Sequence, residues 1–224
     1  MENQPQNSRR DFMKKAAVAA TAFYIVPRHV LGKGFRAPSD KLNIAAIGAG
    51  GKGSSDIANA YANGENNVVA LADVDWARAE GSVKKFPNAK KFKDYRKMLD
   101  EMGKGIDAVT ISTPDHQHAV AAMAAMQLGK HVYVQKPLTH DIYEARMLTE
   151  AARKYKVVTQ MGNQGASSDG SQQLVEWFDK GLIGTVHTAH IWTNRPVWPQ
   201  GIPAPTDKPA LPESMSKEDW DLFI

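Results

Sequence analysis

Short apolar runs alternate with amphipathic segments along most of the chain, beginning at residue 43. The apolar runs have strand length and fall at residues 43–47, 67–74, 107–112, 131–135 and 157–161. Segments with helical spacing lie between them, at residues 54–62, 76–86, 94–102, 118–129 and 142–155. Apolar strands that alternate with helices are typical of a parallel sheet covered by helices on both faces. The pattern therefore predicts an α/β fold built on a doubly wound parallel sheet.

The pattern changes near residue 162. One more helix is predicted at 170–184 and a strand with partial alternation at 185–193, before a proline-rich stretch at 195–212 without periodicity. Residues 218–224 have the pattern of an element that is only beginning. We therefore predict three parts: a leader at 1–36, an α/β domain at 37–162, and the start of a second domain at 163–224, which we expect to be truncated.

The leader contains two adjacent arginines in front of a short apolar run. Ser8, Arg9, Arg10, Phe12 and Lys14 resemble the twin-arginine signal, the address of a bacterial machinery that exports folded proteins. The apolar run is shorter than the roughly 20 residues that cross a bilayer, and no cysteine follows for a lipid anchor. The sequence thus predicts export to the periplasm without a stable membrane anchor. The alternative is an amphipathic or disordered basic leader.

The basic charge of the chain belongs to this leader. Residues 1–36 hold seven Lys or Arg and two acids, whereas the whole chain has 28 and 24, so the remaining residues carry a net charge of −1. A neutral body lacks the basic surface that a phosphate backbone requires, so we expect no nucleic-acid partner. The absence of Cys excludes disulfides and thiolate chemistry.

A glycine-rich turn follows the first predicted strand. Residues 48–53 read G-A-G-G-K-G, so Gly48, Gly50 and Gly53 match the dinucleotide fingerprint G-x-G-x-x-G, and Gly51 lies within it. The turn opens a helix, and Asp73 stands at the end of the next strand, where a carboxylate binds the adenosine ribose and disfavours a 2′-phosphate. We predict a Rossmann domain that binds NAD rather than NADP, although Arg78 could offset the repulsion of a phosphate. The alternative is a glycine-rich turn without a ligand.

Several spaced motifs then resemble one oxidoreductase family. They are "STPDHQHAV", "GKHVYVQKPL", "MGNQG" and "TNRPVWPQGIP", and the resemblance extends from about residue 41 to the end of the chain. These motifs are similar to those of the glucose-fructose oxidoreductase, inositol dehydrogenase and MocA (Gfo/Idh/MocA) family. The resemblance implies a Rossmann domain followed by an α/β domain with an open sheet. It also implies NAD(P)-dependent oxidation or reduction of sugars, cyclitols and related polyols.

The resemblance also implies roles for individual residues. Lys136 matches the family lysine that reaches the substrate hydroxyl and the nicotinamide ribose, and burial would bring the pKa of such a lysine toward the working range. On the cofactor side, the resemblance implies contacts from Thr113, Pro114 and His118. Substrate or nicotinamide contacts are expected from Asn163 and Gln164. Two positions depart from the family: Gln135 replaces a glutamate and Ala166 a histidine.

Several alternatives remain open in the sequence. An NAD-dependent glycosidase and a non-catalytic cofactor-binding fragment are the rival functions, because the family's second catalytic pair is expected beyond Ile224. We expect no metal site, since His116 and His118 have no further ligand to complete one. Three tryptophans are expected to pack rather than stack on sugar, namely Trp192, Trp198 and Trp220. A homo-oligomer is compatible with the sequence.

Overall fold

The computed structural model describes residues 40–194, 201–204, 206 and 210–223. The predicted leader at 1–36 and Trp198 lie outside the described residues. Among the described residues, no helix is long and apolar enough to span a membrane. The boundaries of the three predicted parts remain predictions.

Six parallel strands form one sheet in the order β3-β2-β1-β4-β5-β6. The strands are β1 (Asn43–Ile47), β2 (Asn67–Ala72), β3 (Lys90–Phe92), β4 (Ala108–Ile111), β5 (His131–Gln135) and β6 (Thr159–Gly162). From β1 the chain adds β2 and β3 toward one edge of the sheet, and it then adds β4, β5 and β6 on the other side of β1. The carboxyl ends of β1 and β4 therefore flank the point where the strand order reverses, which is where open α/β sheets bind ligands.

Seven helices accompany the sheet in the described residues. They are α1 (Lys52–Tyr61), α2 (Glu80–Lys85), α3 (Tyr95–Met102), α4 (His118–Gln127), α5 (Ile142–Tyr155), α6 (Asp169–Asp179) and α7 (Lys217–Phe223). Side-chain caps fix the start of several of them, including α3 and α5. Asp94 accepts a hydrogen bond from the N–H of Arg96 at α3, and Asp141 forms a reciprocal capping box with Glu144 at α5.

The core lies on both faces of the sheet. Along β1, Ala45 and Ile47 belong to one buried cluster and Ile44 and Ala46 to the other, as the twofold period of a strand requires. The first cluster contains buried residues of α3, α4 and α5, and the second contains Ile57 of α1. This arrangement confirms the predicted doubly wound parallel sheet.

Three details differ from the sequence prediction. The strand predicted at 185–193 is wrong: these residues have no regular structure and are exposed, since alternation makes a strand only where another strand pairs with it. Conversely, β3 is not predicted, because Lys90 and Lys91 are exposed and only Phe92 is buried. The helix predicted at 76–86 begins only at Glu80.

Candidate functional site

The glycine turn connects β1 directly to α1. Gly48 has φ +80°, and a side chain there would place Cβ 2.7 Å from the carbonyl of Ser112. A Cβ on Gly53 would lie 1.9 Å from the carbonyl oxygen of Gly48. Only glycine therefore lets the helix start so close to the strand. The N-cap residue Gly51 gives α1 no side-chain cap, and the N–H groups of Gly53 and Ser54 instead donate to the carbonyl oxygens of Gly50 and Gly51.

Asp73 ties this turn to the end of β2. Its Oδ2 accepts hydrogen bonds from the N–H groups of Ala49 (2.8 Å) and Gly50 (2.9 Å), and its Oδ1 accepts one from Asp75 (2.9 Å). The carboxylate thus holds the turn in shape and lines the same cavity as Gly48 and Gly50. Its predicted contact with a ribose remains a prediction.

A cavity of about 430 Å³ opens at the carboxyl ends of β1, β2 and β4. This volume lies within the range of small-molecule sites, roughly 300–1,000 Å³. Thr113 and Pro114 line it, as does Arg78 from the loop after β2. The Oγ1 atom of Thr113 is buried and has no hydrogen-bond partner among the described residues. A buried hydroxyl without a partner is costly, so this position beside the cavity is polar but unsatisfied among the described residues.

A buried carboxylate lies beneath the turn. The side chain of Asp56, only 3% exposed, forms an ion pair with Lys52 of the same helix. Its Oδ2 also accepts hydrogen bonds from Ser112 Oγ at 2.8 Å and Gln135 Nε2 at 2.9 Å. Gln135 in turn accepts a hydrogen bond from the backbone N–H of Lys136. Asp56 therefore links α1 to the ends of β4 and β5 and indirectly holds the backbone of Lys136.

Lys136 follows β5, outside the cavity, and is exposed. The burial proposed from the sequence to adjust its pKa is therefore absent among the described residues. Asn163 and Gln164 follow β6, the next strand, whose Gly162 is in register with Gln135. The amide of Gln164 donates a hydrogen bond to the hydroxyl of Tyr133 at 2.7 Å. The structure thus places Lys136 and these two residues at one edge of the sheet, without testing their contacts.

His118 is 1% exposed and connects two loops. Its Nδ1 lies 2.6 Å from the carbonyl oxygen of Pro137 and its Nε2 2.8 Å from that of Thr113. Both ring nitrogens are thus engaged with backbone. The contacts support a positioning role, since His118 holds the loop after β4 against Pro137, in the loop that follows β5. The predicted direct contact with a cofactor remains untested.

His116 and His118 each contact a backbone carbonyl oxygen. The Nε2 atom of His116 lies 2.8 Å from the carbonyl oxygen of Phe223, and both nitrogens of His118 face carbonyl oxygens. Across the part of the chain that the structure describes, no three side chains of His, Asp or Glu come together as metal ligands.

Local electrostatics shift three groups that line or flank the cavity. Burial raises the pKa of the Tyr95 hydroxyl. The hydrogen bond from Arg96 to Asp94 raises the pKa of the guanidinium. A hydrogen bond from Lys93 and a second from the backbone of Ser216 lower the pKa of Asp219. The hydrogen bond between Lys93 and Asp219 connects the residue after β3 to α7, which is 126 residues further along the chain.

Two parts of the site are missing from the sequence prediction. Asp56 falls at the helical spacing of Gly53 and Ile57, the buried positions of α1, and this spacing could have shown that its carboxylate faces inward. Trp220 of α7 lines the cavity, whereas Trp192 is 84% exposed. No local signal places α7 against the Rossmann domain, because that contact is tertiary.

Comparison with known proteins agrees with this geometry. Residues 42–163 match the model of the Gfo/Idh/MocA family, described as an oxidoreductase family with an NAD-binding Rossmann fold. The chain belongs to this family. Its matched part is an NAD-binding Rossmann domain, as the glycine turn and Asp73 predict.

Relatives in the Gfo/Idh/MocA family include the inositol 2-dehydrogenase of Salmonella typhimurium. It is 31% identical over 157 residues, which cover 66% of this chain and 46% of that protein. The crystal structure of an NAD binding oxidoreductase from Klebsiella pneumoniae is 32% identical with a TM-score of 0.53, covering 64% of this chain and 40% of that one. The matches therefore span slightly less than half the length of these relatives.

A third relative supports the fold. The scyllo-inositol dehydrogenase from Lactobacillus casei, solved with NAD(H) and scyllo-inositol, is 24% identical with a TM-score of 0.59. The match covers 64% of this chain and 42% of that one. The shared fold is the Rossmann sheet described above.

Proposed function

We propose that this protein is an exported NAD-dependent oxidoreductase that acts on a hydroxyl group of a sugar, glycoside or cyclitol. The observation that carries the proposal is the arrangement of the two halves of the site. A cavity bounded by the glycine turn and Asp73 lies at the point where the strand order reverses, and Lys136 follows β5, the strand beside β4. Cofactor and substrate groups on neighbouring strand ends fit hydride transfer.

The chemistry requires two acceptors. Oxidation of a secondary alcohol removes a hydride from carbon and a proton from the hydroxyl oxygen. NAD, when bound, supplies the hydride acceptor. Lys136, as the neutral amine, would take the proton at Nζ and become an ammonium, and its exposed side chain extends at the edge of the sheet where we place the substrate. In the reverse direction the same ammonium group would return the proton.

The substrate class rests on the relatives and the family. The Salmonella relative is named as an inositol dehydrogenase, and the family motifs resemble those of enzymes acting on sugars and cyclitols. A polyhydroxylated ring is therefore the substrate that we propose. Asn163 and Gln164, next to Lys136 at the edge of the sheet, would donate and accept hydrogen bonds to its remaining hydroxyl groups.

The experiment that tests this function replaces Lys136 with Met in the full-length protein. We expect NADH formation from myo-inositol or a glucoside panel to stop, while NAD affinity measured by calorimetry changes little. Lys104→Met is the matched control, because Lys104 is exposed just before β4 begins, at the opposite edge of the sheet. Full activity in Lys136→Met would overturn the role of this lysine. Cleavage of a glycoside without net NADH would instead favour the glycosidase.

Export is proposed from the leader alone. Arg9 and Arg10 support transport of a folded protein, which would let the Rossmann domain carry NAD out of the cytoplasm. Replacing both arginines with lysine should leave the protein in the cytoplasmic fraction. Equal amounts of both forms in the periplasm would contradict the twin-arginine route.

A further inference from the structure

One wall of the cavity comes from a segment far along the chain. Three residues of α7, Trp220, Leu222 and Phe223, line the cavity together with Gly48 and Asp73. The rings of Trp220 and Phe223 are stacked, with centroids 5.3 Å apart and planes 19° from parallel. The cavity therefore has an aromatic wall that the Rossmann domain itself does not supply.

Polar contacts hold α7 in this position. Asp219, whose side chain is 14% exposed, forms an ion pair with Lys93 at 2.8 Å, and Lys93 also donates a hydrogen bond to the carbonyl of Val74. At the other end of α7, the carbonyl oxygen of Phe223 lies 2.8 Å from His116 Nε2. The start of the helix is capped by Ser216, which accepts a hydrogen bond from the N–H of Asp219. These contacts give α7 one defined place rather than a loose apolar association.

The cavity corresponds to the adenosine half of a dinucleotide site. Asp73 and Arg78 line it from the loop after β2, and Tyr95 lines it from the start of α3. In Rossmann domains, the carboxylate after the second strand binds the adenosine ribose. Lys136, on the side of the sheet where we place the substrate, does not line this cavity. The base attached to the adenosine ribose would therefore enter the part of the cavity that α7 closes.

We propose that Trp220, supported by Phe223, is the stacking platform for the adenine ring of NAD, and that the ion pair between Lys93 and Asp219 holds this platform in place. The inference rests on the proposed NAD-dependent function and adds a binding residue to it. Stacking of a base on an aromatic side chain contributes substantial affinity and needs no specific hydrogen bond. Trp220 does not fill the base position, because about 430 Å³ remains open with its ring in the wall.

The test measures the affinity of the full-length protein for ADP and for NAD by calorimetry. ADP is the probe because it carries the adenosine half without nicotinamide. Trp220→Leu keeps an apolar residue but removes the stacking face, so we expect roughly five- to one-hundred-fold weaker binding of both nucleotides. Trp220→Phe should restore most of the affinity. Trp192→Leu, at a position 84% exposed, should bind as the wild type does.

The outcomes separate this inference from the proposed function. If the wild type binds neither NAD nor ADP, the proposed function itself fails. If the wild type binds both and Trp220→Leu binds ADP within twofold of it, NAD binding stands and the platform is wrong. Tighter binding by Trp220→Leu would also overturn it, since Trp220 would then compete with the base. If Trp220→Leu does not fold, Asp219→Asn decides: we expect ADP affinity to fall severalfold at low salt, and an unchanged value would refute the platform.

Discussion

The Nε2 atom of Gln135 donates a hydrogen bond to the Oδ2 atom of Asp56 across 2.9 Å, in a buried position below the glycine turn. This contact explains why an amide suits position 135, where the family usually has a glutamate. Asp56 already carries the negative charge of the pair, and Lys52 balances it. A second carboxylate at 135 would place two like charges in contact away from water.

Gln135→Glu should therefore destabilise the protein by about 1–3 kcal/mol near neutral pH, because the Asp56 carboxylate loses a donor and gains a like charge. Chemical denaturation at neutral pH measures the loss. The exposed Gln160→Glu should have little effect.

The double variant Asp56→Asn with Gln135→Glu should recover much of the lost stability, since it restores one carboxylate and one amide at the contact. The coupling free energy follows from a double-mutant cycle. Additive effects of the two substitutions would show that the residues do not interact energetically.

Gly53→Ala should severely destabilise the domain. The added Cβ would lie 1.9 Å from the carbonyl oxygen of Gly48, and backbone on both sides of the turn would have to move. We expect a loss of about 3 kcal/mol or more, seen in a thermal melt together with loss of NAD binding. Gly103→Ala is the control, because Gly103 has φ −50° and nothing within 4 Å of its new Cβ. A Gly53→Ala variant as stable as the control would contradict the close approach.

Asp73→Asn should reduce both NAD affinity and the discrimination against NADP. The amide keeps one oxygen for the N–H groups of Ala49 and Gly50 but loses the charge that repels a 2′-phosphate. We expect NAD binding to weaken roughly tenfold or more, with a smaller change for NADP. Titration of both nucleotides measures the ratio, with the exposed Asp100→Asn as the charge-matched control. An unchanged ratio would show that Asp73 does not set the preference.

The ion pair that attaches α7 should weaken in the acid range. The hydrogen bond from Lys93 lowers the pKa of Asp219 below its ordinary value. The ion pair therefore contributes fully above about pH 4 and is lost as pH falls through the lowered pKa. Tryptophan fluorescence followed from pH 7 to pH 3 should show a transition in the wild type that is absent in Asp219→Asn. The same transition in both proteins would assign it to another group.

The strands and the glycine turn could be predicted almost completely from the sequence, because a local pattern marks each of them. Short apolar runs indicate β1, β2, β4 and β5. The spacing of Gly48, Gly53 and Asp73 indicates the cofactor side of the site. β3 is only three residues long and largely polar, so no pattern announces it. The strand predicted at 185–193 fails for the opposite reason, since its alternation has no partner in the described chain.

The remainder of the site could not be predicted because it depends on distant contacts. Asp56 appears in the sequence as an ordinary charged helix residue, and only the fold brings Ser112 and Gln135 to its carboxylate. Trp220 likewise reaches the cavity through tertiary packing of α7. For His118, the sequence indicates a histidine near the site, but it does not indicate that both ring nitrogens contact backbone carbonyl oxygens.

The contact between Lys93 and Asp219 joins positions 126 residues apart, which fixes when the cavity can be completed during synthesis. The Rossmann strands leave the ribosome first and can pair in order, since domains generally fold from the N-terminal end as the chain emerges. The aromatic wall arrives only after the intervening helices and the proline-rich stretch have been made. The nascent domain therefore passes through a stage in which the glycine turn is formed while the adenosine end is still open. Nucleotide captured at that stage would lack the contact with Trp220 that we propose, so we expect it to be held less tightly than after α7 has docked.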